Sequence, residues 1–149
     1  MKVERIDHIH IIVKDLEAAA KFFSDMMGTT FVRRGDTGLG FKVAFDNLGL
    51  EIMQPISSGN PVAEHLEKHG EGVAYIGLKV TNIEEAIAEL EAKGIRVKRW
   101  REVWKGDIKG ARTDSPEKTH GVTFELIEYK NVHPVAMANL QKLGDLPYM

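Results

Sequence analysis

The feature that most constrains this chain is that it repeats itself. Residues 8–13 (His-Ile-His-Ile-Ile-Val) and 75–80 (Tyr-Ile-Gly-Leu-Lys-Val) are both rich in β-branched and apolar side chains, and Tyr75 follows His8 by 67 positions. Each run leads into a polar pair suited to a helix N-cap, Lys14-Asp15 in one copy and Thr81-Asn82 in the other. An apolar stripe follows at Leu16, Ala19, Ala20 and Phe23, the i, i+3, i+4, i+7 spacing of a helix face. Ile83, Ala86, Ile87 and Leu90 repeat it, again 67 residues later. Gly28 and Gly94 stand where a glycine would end each helix, with one residue deleted between the copies. Further on, Leu50-Glu51-Ile52-Met53 corresponds to Phe124-Glu125-Leu126-Ile127 at an offset of 74. The seven extra residues are expected in the loop-rich stretch between the second and third strands of the second copy. Self-similarity of this kind means that the two halves share one supersecondary unit.

The rest of the unit follows from alternation and turn chemistry. Phe41 to Phe45 alternates as a strand, turns at Asp46-Asn47-Leu48-Gly49, and returns as Leu50 to Gln54. Thr30 to Arg34 and Arg96 to Arg101 supply the strand after each helix. Each module therefore reads βαβββ, and the fold class is α+β. The modules span about 5–56 and 73–129. A short helical connector over 60–70 begins at Asn60-Pro61 and is closed by Gly70 and Gly72. A C-terminal extension covers 131–149. A module of roughly 60 residues buries too little surface to be stable alone. The two are expected to pack as a single domain over 1–149, an open eight-stranded cup around one small-molecule site.

Composition removes several classes of function. No apolar run approaches the ~20 residues that cross a bilayer, and charge at Lys2, Glu4, Arg5 and Asp7 occupies the place of a signal peptide's apolar stretch. The absence of cysteine excludes disulfides, thiolate metal sites and thiol nucleophiles. The 20 basic and 22 acidic residues are dispersed, so neither nucleic acid nor an anionic membrane is an expected partner. A cytoplasmic protein acting on a small molecule is the expectation.

Alternate strand residues face the same way, so His8 and His10 share a face. Glu51 and Glu125 place a carboxylate at the same point of an apolar strand in both copies. Burying one is costly unless it is paired, hydrogen-bonded or metal-bound. Two arrangements satisfy that: both glutamates on a solvent face, or both in a site. Asp7-His8-Ile9 with the helix after it, Leu50-Glu51-Ile52, and Thr119-His120-Gly121-Val122 leading into Phe124-Glu125-Leu126 resemble the vicinal-oxygen-chelate superfamily. That superfamily includes glyoxalase I, methylmalonyl-CoA epimerase, extradiol dioxygenases and bleomycin-resistance proteins. The connector Asn60-Pro61-Val62-Ala63, Leu66-Glu67-Lys68 and Gly70-Glu71-Gly72 is similar to the methylmalonyl-CoA epimerase branch. The resemblance covers about residues 5–129.

The resemblance implies a metal held by one residue from the first and one from the fourth strand of each module. His8, Glu51 and Glu125 match three of these positions, and Tyr75 stands at the fourth, where histidine is usual. A phenol must lose a proton of pKa about 10 to bind a metal well, whereas neutral imidazole binds readily. A divalent ion (zinc, cobalt, nickel, manganese or iron) on His8, Glu51 and Glu125 is the expected cofactor, with a metal-free protein as the alternative. The resemblance also implies a proton-transfer glutamate just before the third strand, and the matching position is about Gly38. His10, Tyr75, Glu51 and Glu125 are then the candidates for moving a proton; His10 stands where related enzymes carry a small residue, as the second copy does at Gly77.

Other signals read as structural. His65 and His69 have i, i+4 spacing but no His-Glu-x-x-His motif, and are read as surface residues. Gly38-Leu39-Gly40 precedes a strand instead of opening a helix, so it is no dinucleotide loop. Trp100 and Trp104 are read as packing residues, and the basic cluster Lys98, Arg99, Arg101 and Lys105 either as a grip for a carboxylate or phosphate tail or as a solvated strand face. Two functions remain: a metal-dependent lyase or isomerase stabilising an enolate of an oxygen-rich or thioester substrate, and a metal-free small-molecule binding protein of the same fold. A homodimer is the expected assembly.

Overall fold

A computed structural model describes residues 1–36, 38–99 and 108–130. Trp100, Arg101, Trp104, Lys105 and the extension 131–149 lie outside the described residues. Eight strands and three helices give the expected α+β composition, in the order β1 (Val3–Ile12), α1 (Leu16–Met27), β2 (Val32–Asp36), β3 (Phe41–Phe45), β4 (Leu50–Pro55), α2 (Pro61–His69), β5 (Gly72–Val80), α3 (Ile83–Ala92), β6 (Val97–Arg99), β7 (Ile108–Thr113) and β8 (Thr123–Tyr129). The described chain divides into two compact units, His8–Ala74 and Met1–Asp7 with residues 75–130. No helix among the described residues is long and apolar enough to cross a membrane.

In the first unit the strand order is β2-β3-β4-β1. β1 runs parallel to β4 with Ile9 opposite Leu50, while β3 is antiparallel to β2 and β4. Alternation divides the sheet into two faces. Ala44 and Ile52 look toward α1 and bury its Leu16 and Ala20 together with Val13 and Phe31. Ile12, Phe41, Val43, Phe45 and Met53 look the other way, where Val62 of α2 packs on them. Helix α1 begins where Asp15 accepts a hydrogen bond from the Ala18 N–H and stops at Gly28, whose φ of 67° only glycine adopts readily. The β3–β4 turn is closed by Asp46, whose Oδ1 accepts from the N–H groups of Leu48, Gly49 and Leu50.

The second unit is built the same way, in the order β5-β8-β7-β6. β5 is parallel to β8, and β7 is antiparallel to β8 and β6. Val80, Ala111 and Leu126 face α3 and bury its Ile83, Ala86 and Ile87. Asn82 caps that helix as Asp15 caps α1. The last-turn glycines differ by one place: Gly28 is the C-cap itself, whereas Lys93 caps α3 and Gly94 follows it with φ 76°.

The register corrects one expectation. Phe45 pairs with Glu51, and Arg112 pairs with Glu125. Arg112 is therefore the counterpart of Phe45, and the offset of 67 persists through the third strand of each module. The seven extra residues lie between the third and fourth strands, in the β7–β8 connection. There a 3₁₀ turn (Pro116–Lys118) and the left-handed pair His120-Gly121 replace the tight Asp46 turn. A helical turn before a strand takes up chain without disturbing the register on either side.

Candidate functional site

The face of the first unit that carries Ile12, Phe45 and Met53 also carries His8, His10 and Glu51. The β1–β4 register puts His10 directly opposite Glu51, and His8 lies two residues earlier on the same face. All three are buried, at 2%, 5% and 4% exposure. His8 Nε2 and His10 Nε2 are 2.7 Å apart, a hydrogen bond in which one ring donates and the other accepts. Glu51 Oε2 lies 3.5 Å from His10 Nδ1 and 3.7 Å from His8 Nε2. Met53 Sδ, also 3.3 Å from His10 Nδ1, and Phe45, the strand partner of Glu51, give the group an apolar floor. A carboxylate, two imidazoles and a thioether on a dry surface have two uses. They share protons along the chain Glu51, His10, His8, or they present nitrogen and oxygen donors to a divalent ion.

In the second unit Glu125 is buried at 8% exposure. It lies between Gly77 on β5 and Arg112 on β7 in the strand register. Tyr75 is two residues before Gly77 and shares its face. The Arg112 Nη1 donates to Tyr75 Oη at 3.3 Å, and the guanidinium carbon is 5.8 Å from the Tyr75 ring centre. Both repeated glutamates are thus buried, which rules out the solvent-face arrangement. His8, His10 and Glu125 all qualify as buried metal ligands by residue type.

The remaining candidates separate from these. His65 and His69 stack with ring centres 4.6 Å apart on α2, and burial, then the neighbouring His69, hold the His65 imidazole below its ordinary pKa. Gly38 has φ 77° and precedes β3, and the Gly40 carbonyl accepts from Ile56 N, Ser57 N and Asn60 Nδ2, so this loop is a structural clasp. His120 takes φ 54° in the turn before β8, where Thr119 Oγ1 bonds the Val122 carbonyl. Reading the sequence missed Arg112, Met53 and Phe45. Arg112 was within reach, because carrying the offset of 67 through the third strand puts it beside Glu125.

Two half-units of strand-helix-strands, each with a buried glutamate on its fourth strand, define a glyoxalase-like protein. The family model for the Glyoxalase/Bleomycin resistance protein/Dioxygenase superfamily matches residues 7–111, and the chain belongs to that superfamily. Human mitochondrial methylmalonyl-CoA epimerase is 34% identical over 97 residues, which cover 62% of this chain and 55% of that protein. The ethylmalonyl-CoA/methylmalonyl-CoA epimerase of Cereibacter sphaeroides is 32% identical over 100 residues, covering 64% and 75%. The structure of Streptomyces coelicolor methylmalonyl-CoA epimerase in complex with 2-nitronate-propionyl-CoA has a TM-score of 0.75 at 26% identity, covering 89% of this chain and 99% of that one. The matched region spans little more than half the length of the mammalian relatives.

Proposed function

We propose that the chain is an isomerase of the epimerase type, moving a proton at the carbon beside the carbonyl of a CoA thioester. The observation that carries this reading is the buried Glu51–His10–His8 cluster on an apolar sheet face. Its relatives named as methylmalonyl-CoA epimerases supply the substrate class. Abstracting such a proton needs a base near the carbon and a stabiliser for the enolate oxygen.

The donor set fits a divalent ion, and His8, Glu51 and Glu125 are the residues proposed to hold one. When bound, such an ion polarises the thioester carbonyl and lowers the cost of the enolate. Were His8 Nε2 to hold such an ion, it would no longer bond His10. His10 then keeps its Nδ1 toward Glu51 and has Nε2 ready to accept the substrate proton. Glu51, 3.5 Å from His10 Nδ1, orients that ring. Inversion of the stereocentre requires that a second acid, for which Glu125 and Tyr75 are the candidates, protonate the opposite side of the planar enolate while His10 gives the abstracted proton to solvent. The base cannot come from position 38, because glycine stands there and its φ of 77° disfavours a side chain. We further propose that both modules act as one functional domain, in a cytoplasmic homodimer.

The test is proton exchange. A 2-methylmalonyl thioester incubated with the protein in D2O should gain deuterium at the α-carbon, and protein purified without chelator should carry about one metal per chain, lost in His8→Ala. No exchange with metal present sinks the isomerase. One observation favours the second reading, a metal-free binding protein: the direct His8–His10 hydrogen bond satisfies both rings without an ion. Absence of metal after soaking, with no exchange, would select it.

A further inference from the structure

Arg112 meets a different kind of partner from several other cations of the fold. Arg33 is held by Glu17 at 2.8 Å, Lys79 by Glu4 at 2.6 Å and Arg99 by Glu84 at 2.7 Å. Arg112 is half-buried, and among the described residues no carboxylate oxygen lies within ion-pair distance of it. Among the described residues its hydrogen-bond acceptor is the Tyr75 hydroxyl, and it sits beside the Tyr75 ring. Its strand partner Glu125 lies on the same face, but in the reading above that carboxylate is committed to a metal. A partly desolvated guanidinium with most of its five N–H donors unspent is costly unless something anionic meets it.

We propose that Arg112, braced by Tyr75, recognises a carboxylate of the substrate and so orients the acyl group for proton transfer. The planar fork of a guanidinium matches a carboxylate with two parallel hydrogen bonds, which an ammonium cannot reproduce. A single cation also balances one carboxylate, whereas a phosphate dianion calls for more positive charge than this face supplies. Gly77, across β8 from Arg112, adds no side chain and leaves the approach open. The inference rests on the thioester reading, so the experiment separates the two.

Malonyl-CoA, propionyl-CoA, free malonate and inorganic phosphate are titrated calorimetrically against the parent protein, Arg112→Lys, Arg112→Met and Tyr75→Phe. Malonyl-CoA should bind the parent at least about tenfold tighter than propionyl-CoA, the size of one good charge-assisted contact. That preference should collapse to about twofold or less in Arg112→Met, be partly kept in Arg112→Lys, and weaken least in Tyr75→Phe. If Arg112→Met does not fold, the graded loss across Arg112→Lys and Tyr75→Phe decides. Retention of the preference without the guanidinium overturns the proposal. Equal binding of both thioesters by the parent also overturns it, while leaving the thioester reading intact. Arg112-dependent binding of malonate with no binding of either thioester upholds Arg112 and removes the thioester reading. Phosphate outcompeting malonate in an Arg112-dependent way, or no binding of any probe, overturns the assignment to a carboxylate.

Discussion

His10 is held on both sides, by His8 at one ring nitrogen and by Glu51 and Met53 near the other. That division separates two kinds of substitution. His10→Gln should lower α-proton exchange by about 10²–10⁴-fold, the usual contribution of a positioned base, while metal content stays unchanged. Loss of metal in that variant would make His10 a ligand instead. His8→Ala removes a buried hydrogen-bond partner and should cost about 1–3 kcal/mol in urea unfolding, besides any bound metal. A third residue-scale outcome concerns pH. Burial and the nearby His69 lower the His65 pKa, so the folded state binds fewer protons there than the unfolded state does. Stability contributed at this site is full above the ordinary histidine pKa of 6.5 and declines as pH falls toward the lower folded value. Thermal midpoints measured at pH 7.5 and 5.5 should therefore converge in His65→Gln; an unchanged gap would show that another group carries the acid sensitivity. The sequence exposed Glu51 and Glu125 because the repeat marks that position twice, and His8 through the family resemblance. It showed His10 only by contrast with Gly77, and its contact with His8 depends on rotamers that no spacing encodes.

The elements were legible where local chemistry decides them. Asp15, Asn60 and Asn82 each accept from the first helical N–H groups as expected, and the 41–45 strand and its Asp46 turn lie where alternation and turn residues put them. Asn60 does more than cap. Its Nδ2 donates to the carbonyls of Gly40 and Ser57 while its Oδ1 accepts from Val62 and Ala63. Asn60→Ala should then cost about 2 kcal/mol, against about 1 kcal/mol for Asn82→Ala, since it removes the two bonds that tie the helix start to Gly40 and Ser57 as well as the cap. Equal losses in denaturant titrations would reduce Asn60 to a simple cap. A Cβ at Gly40 would come within 2.5 Å of Ser57 Oγ and 2.7 Å of Asn60 Nδ2, so the same clasp explains that glycine. What local chemistry did not show is the length of the β7–β8 connection. Ile108-Lys-Gly-Ala-Arg-Thr lacks a clean apolar alternation, so β7 and the side that Arg112 faces are legible only through the repeat, by carrying the offset of 67 through the third strand.

Across the whole molecule the duplication is the organising fact. Each unit has its own helix-backed core and its own buried glutamate, so the build of each unit was implied by one module seen twice, apart from the length of the β7–β8 connection. Function was not, because the copies have diverged where chemistry happens. His8 and His10 face Tyr75 and Gly77 in the alignment of the repeats, and Phe45 faces Arg112. In the reading proposed above, one module supplies groups for proton transfer and metal binding, and the other holds an anion. Metal linkage tests that division on the intact chain. A ligand that binds only the native state stabilises it by RT ln(1 + [L]/Kd), about 2.7 kcal/mol at one hundred times Kd. For a domain of this size that is a rise of about 5–10 °C in the unfolding midpoint. Chelator-treated protein given zinc, cobalt, nickel or manganese should show such a rise with at least one ion, and His8→Ala and Glu51→Gln should abolish it. Glu125→Gln should abolish it too if the second module supplies a ligand. A rise that persists in Glu125→Gln but not in Glu51→Gln would confine the metal to the first module, leaving Glu125 as the counter-charge of Arg112. No rise with any ion, together with a rise on adding apolar ligands, would make the His8–His10 hydrogen bond the resting chemistry of a binding protein.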